Sequence, residues 1–183
     1  MRWGKFPYPE AIAPTFDADA LVNAIETEDE TDAIAQVRAA IEAPDGWRLL
    51  DAPLTWAAAA HYQDFGHSMI YAYKCRQAVE ALGDRVAEPI YLAYVRGLIY
   101  ASREDLIPEF RAYRPAREAW NGTGAQTPMA KEFYKAGVRG AVNVANAASS
   151  DPKALFDALM QAAAWQMLHF DLDYMLGHDR AVQ

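Results

Sequence analysis

The run His61-Tyr62-Gln63-Asp64-Phe65-Gly66-His67 sets two imidazoles around one carboxylate. Residues three apart on a helix are neighbours, so Asp64 can meet His61 on one side and His67 on the other. Such a group can fix an imidazole tautomer for proton transfer near neutral pH, contribute ligands to a metal, or pair for its own sake, because a polar group placed among apolar ones needs a partner. A second pair stands late in the chain, where Leu155, Leu159, Ala162, Gln166, His169 and Asp173 recur at helical spacing, apolar first and polar last. His61, Asp64, His67 and His169 are the catalytic candidates.

Two chemistries fit these residue types. Helical bundles hold metals with carboxylates and a Glu-x-x-His pair from each of two helices, and this sequence has no Glu-x-x-His. On a straight helix His61 and His67 are separated by roughly 9 Å of axial rise, too far to grip one ion together. The metal version to test is therefore a mixed set of Asp64, His67, His169 and Asp173. The other chemistry is acid–base or redox work on a bound organic molecule. Tyrosines fall on the central helical segments, and Tyr71 and Tyr94, with Asp173, are the ligand-binding candidates for an aromatic-lined pocket. The plainer alternative is that the same Tyr, His and Asp groups only satisfy one another in the interior. No cofactor is named by the sequence. Cys75 reads as a small core hydrophobe, Ser68 lacks the Gly-x-Ser-x-Gly setting of a nucleophile elbow, and Gly66, Gly97, Gly137 and Gly140 read as close-packing points.

The elements that must carry these groups are helical. Asp17 can cap a short helix bearing Leu21, Val22 and Ile25, and Thr31 a second one bearing Ile34, Val37 and Ile41. After the turn Pro44-Asp45-Gly46, a long helical pattern runs from Asp51 to Gly83 and contains the histidine cluster. Another follows from about Asp84, with Pro89 in its first turns and the apolar run from Ile90 to Ala101. Ser102 and Asp105 have capping-box spacing, and Pro108 and Pro115 divide the next stretch. Thr127-Pro128 and Asp151-Pro152 each place Pro at a first helical position, predicting helices to about Ala148 and Gly177. Strand patterns are absent. The expectation is an all-α, single-domain bundle of six to seven helices over residues 1–183, with an extended arm at 1–16 broken by Pro7, Pro9 and Pro14.

Composition narrows the function. Seventeen Lys and Arg against twenty-five Asp and Glu give a net charge of −8, which opposes nucleic-acid binding. One cysteine rules out an intrachain disulfide framework. No apolar stretch predicts a membrane span or a secretory leader, so a cytoplasmic protein is expected. The acidic run from Glu26 to Asp32 reads as a solvated junction, and His178 as a surface residue.

Trp56 to Arg76, with Asp64-Phe-Gly-His67-Ser-Met-Ile-Tyr-Ala-Tyr-Lys, and the later Met167-Leu-His169-Phe-Asp171 resemble motifs of helical domains that follow Rieske iron–sulfur modules in some bacterial proteins, and more loosely those of questin-oxidase-like proteins. The likeness covers about a third of the chain. It implies an oxidoreductase-associated helical fold and carries over His61, His67 and His169 as site residues. The chain departs from it in lacking the Cys-His motifs that hold the Rieske cluster.

Two functional expectations result. In one, the His/Asp cluster faces inward and serves a small organic ligand or a metal in an oxidoreductase setting. In the other, the chain is a non-enzymatic helical module that binds a partner protein or forms a homodimer, with Trp3, Phe6 and Tyr8 of the arm docking on a neighbour.

Overall fold

The helix starts follow the side chains that can cap them. In the computed structural model, which describes residues 7–134 and 136–169, the Asp17 carboxylate accepts from the amides of Asp19 and Ala20 and opens α1 (Ala18–Glu26). Asp29, not Thr31, caps α2 (Glu30–Glu42), accepting from Asp32 N at 3.0 Å. A single 3₁₀ turn (Gly46–Leu50) leads into α3 (Asp51–Ala58). Then come α4 (His67–Leu82) and α5 (Ala87–Ile99), with Pro89 in the first turn of α5, where a missing N–H costs nothing. Three more helices complete the described chain: α6 (Tyr113–Glu118), α7 (Gly137–Ala147) and α8 (Pro152–Leu168). Among the described residues there is no strand, and no helix is long and apolar enough to cross a membrane. The fold is all-α.

The chain gathers into two compact units that part between Arg111 and Ala112. In the first, α1 and α2 form the expected hairpin and close over α3 and α5, burying Leu21, Ile34, Val37, Leu54, Val95 and Leu98. Trp47 seals one end, stacked on Tyr91 at 6.1 Å, with its Nε1–H donating to Asp84 at 2.8 Å. The arm lies on this same unit. Arg38 donates to the carbonyls of Pro9 and Ala11, Arg96 donates to that of Pro7, and the Arg96 guanidinium sits 3.9 Å over the Tyr8 ring. Tyr8 therefore packs on its own unit, while Trp3 and Phe6 lie outside the described residues.

In the second unit Phe133, Ala148, Leu155, Ala158 and Ala162 make a small core. The Asp151-Pro152 signal holds, since Asp151 accepts from Ala154 N at 3.0 Å. The Thr127-Pro128 signal does not open a helix. Gln126 N donates to Ala147 O and Ser150 N to Gly124 O, both at 2.9 Å, so residues 124–126 run alongside the end of α7 instead. Only glycine fits that approach, because a Cβ on Gly124 would lie 2.0 Å from the Asn146 carbonyl oxygen. On α8, Leu155 and Ala162 of the expected stripe are buried, but Leu159, Gln166 and His169 are exposed.

Candidate functional site

The helical pattern predicted from Asp51 to Gly83 breaks where the histidines are. After α3 the backbone turns left-handed at Tyr62 (φ 52), Asp64 (φ 50) and Phe65 (φ 50), then at Gly66 (φ 86), before α4 begins at His67. A left-handed residue other than Gly costs roughly 1–2 kcal/mol, so three need compensation. Two sources are visible. Asp64 N donates to Ser102 O at 3.1 Å and Asp105 N to His61 O at 3.2 Å, lacing residues 61–64 to residues 102–105. Phe110 packs its ring on Tyr62 at 5.2 Å and on Phe65 at 5.8 Å, forming an aromatic trio.

This break overturns the His61–Asp64–His67 arrangement. His61 is buried, and its partners are Asp105 and Glu26: Nδ1 lies 2.8 Å from Asp105 Oδ2, and Nε2 lies 2.8 Å from Glu26 Oε2. Both ring nitrogens thus lie within hydrogen-bond distance of a carboxylate oxygen, which fixes the orientation of the ring between the two acids. Asp105 is buried with it, whereas the Glu26 carboxylate is half exposed. Glu26 is the last residue of α1, where the helix dipole favours positive charge, and Arg103 joins His61 there by donating to the Glu26 carbonyl at 2.8 Å. The acidic run is thus not merely solvated. Nor do Ser102 and Asp105 form a capping box, because Ser102 Oγ donates to the buried Glu104 and Asp105 takes His61. Glu104 Oε2, Asp105 Oδ1 and Gln63 Oε1 are buried without a hydrogen-bond partner among the described residues.

His67 is exposed. Its Nδ1 donates to the Asp64 backbone carbonyl at 2.6 Å, not to the carboxylate, and its ring lies 6.4 Å from that of Tyr71. His169 belongs to the second unit, where it ends α8 with Nδ1 on the Trp165 carbonyl and its ring stacked on Trp165 at 4.2 Å; Tyr134 covers the other indole face at 4.0 Å. Asp171, Asp173 and His178 lie outside the described residues. Among those that are described, no three His, Cys, Asp or Glu side chains are grouped to hold a metal ion; the mixed set of Asp64, His67, His169 and Asp173 includes a residue outside them.

The first unit does contain a cavity, between α4 and α5, with a volume of about 750 Å³ and an open mouth. The cavity is lined by Ala93 and Gly97 of α5 and by Ala101 just past its end, spaced four apart, with Ile90, Tyr94 and Leu98 beside them. Gly97 is not a close-packing point: a Cβ there would meet nothing within 4 Å. The α4 side presents Ser68, Tyr71 and Cys75, and the left-handed turn presents Asp64. Tyr94 is anchored by its hydroxyl, which donates to Ser68 O at 3.0 Å, and Tyr100 by its own, which donates to Glu30 at 3.1 Å. Burial pushes the Cys75 thiol up to about 11 and the Tyr94 phenol well above its usual range. Both stay protonated at neutral pH. Asp64, Tyr71 and Tyr94 therefore share one cavity, while His61 and His67 do not line it.

Asp105, Glu26 and Gly97 are the site residues that sequence spacing missed. The first two lie 44 and 35 residues from His61, beyond any local periodicity. The signal for the cavity was the Ala93-x-x-x-Gly97-x-x-x-Ala101 series, which puts only small residues at these positions along α5 and just past its end. No protein-family model, curated protein or solved structure matches this chain.

Proposed function

We propose that the first unit binds a small organic molecule in the α4–α5 cavity. The observation that carries this is the cavity itself: at about 750 Å³ it falls within the range of ligand sites, its walls are mainly apolar, and it exposes few polar groups. Asp64, Ser68 and Tyr71 come from the segment that resembles the Rieske-associated domains, so the oxidoreductase setting belongs to the same proposal. His61 acts through position. Locked between Asp105 and Glu26, it holds the left-handed turn that brings Asp64 to the cavity wall.

N-phenyl-1-naphthylamine, a neutral probe whose fluorescence rises in apolar surroundings, tests the reading. Saturable binding at one site per chain is expected for the wild type and its loss for Gly97→Phe, which fills the cavity from an open position while leaving the circular dichroism unchanged. Equal binding by both proteins would refute it.

A second reading, self-association, has its own support. Phe156, Leu159, Met160, Met167 and Leu168 are exposed along α8, and apolar patches of that kind mark interaction surfaces. Sedimentation equilibrium expects a dimer that Phe156→Glu with Met160→Glu dissolves; a wild-type monomer would end this reading.

A further inference from the structure

Asp64 is the one charged residue among those lining the α4–α5 cavity. Its backbone is held from both sides, with N–H on Ser102 O at 3.1 Å and C=O accepting from His67 at 2.6 Å, in a left-handed conformation that only tertiary contacts sustain. Its carboxylate has no hydrogen bond or ion pair among the described residues. An acceptor-only group kept unpaired at an apolar wall, by a backbone conformation that costs free energy, is the arrangement of a recognition group waiting for a donor.

From this we infer that the cavity takes an organic cation, a protonated amine on an aromatic or aliphatic frame, with the charge on Asp64 and the frame along α5. The inference rests on the small-molecule reading of the cavity. Three further features favour that charge. The lining contains no Lys, Arg or His to receive an anion. The faces of Tyr71, Tyr94 and Tyr100 attract cations. The net charge of −8 raises the local concentration of positive ligands over negative ones.

Three probes of one shape separate the possibilities: naphthalen-2-ylmethylamine, 2-ethylnaphthalene and 2-naphthylacetate, each competed against N-phenyl-1-naphthylamine on the full chain. The amine is expected to bind about tenfold or more tighter than the neutral probe, as one charge-assisted hydrogen bond provides, and the anion weakest of all. Asp64→Asn, which suits the left-handed backbone, should bring amine and neutral probe to within about threefold of each other. Added salt should narrow the gap in the wild type. If the neutral probe binds as well as the amine, or if Asp64→Asn leaves the preference intact, the cation is wrong and the cavity reading stands. If no probe competes and Gly97→Phe leaves fluorescence unchanged, the cavity reading fails and takes this inference with it.

Discussion

Removing the imidazole of His61 is the sharpest perturbation of the first unit. His61→Ala leaves Asp105 buried with neither carboxylate oxygen paired, because Oδ1 already lacks a partner and Oδ2 loses its own. Side-chain exposures of 6% for His61 and 2% for Asp105 put this pair in the class whose disruption costs about 3–5 kcal/mol. The other half of the triad is different. Glu26 is 45% exposed, where an ion pair contributes only about 0–1 kcal/mol, so Glu26→Gln should be mild. Urea titration followed by far-ultraviolet circular dichroism at pH 7 measures both. With a slope of about 1–3 kcal/mol/M, His61→Ala should lower the midpoint by ~1 M or more, and Glu26→Gln by a fraction of that. Replacing both partners, His61→Leu with Asp105→Leu, should recover part of the loss, since no charge is then left buried. The reasoning is refuted if His61→Ala lies within about 1 kcal/mol of the wild type, or if Glu26→Gln is equally damaging.

Two glycines should respond in opposite directions to the same change. Gly97→Ala adds a methyl group to open space on a regular helix and should stabilise by about 0.5–1 kcal/mol, raising the melting temperature; Gly124→Ala drives a Cβ against the Asn146 carbonyl and should lower it. The half-buried thiol of Cys75 predicts a pH effect. Between its ordinary value of 9.0 and its value here of about 11, the unfolded chain loses the proton and the folded one keeps it. Folding is therefore disfavoured as pH rises through that window, and melting curves should fall more steeply from pH 9 to 11 for the wild type than for Cys75→Ala. Parallel curves would contradict the assignment.

How much of this was legible in the sequence divides along a physical line. Local signals worked where the responsible groups are neighbours in the chain: Asp17 and Asp151 cap the helices they precede, Pro89 sits in a first turn, and the Ile90 to Ala101 run forms the buried centre of the first unit. They failed where partners are remote. The periodicity of residues 51–83 is compatible with one helix, and only the lacing to residues 102–105 and the Phe110 ring makes the broken path preferable. Asp64 was singled out by its type and its nearness to two histidines, yet it lines a cavity and its backbone carbonyl, not its carboxylate, takes His67. Tyr71 and Tyr94, singled out by their place on central helical segments, both line the cavity. The all-α fold was legible from the helical spacing and the missing strand patterns, whereas the gathering of contacts into two compact units, each with its own core, was not, because length alone does not say where contacts will gather.

Protection of Cys75 from alkylation tests the cavity most directly, since this residue lines it and is the one cysteine of the sequence. With the thiol held near 11, iodoacetamide at pH 9 should react slowly but measurably with the free protein. Saturating N-phenyl-1-naphthylamine is predicted to slow that reaction severalfold in the wild type and to leave it unchanged in Gly97→Phe. An alkylation rate in the wild type that ignores the probe would contradict the account.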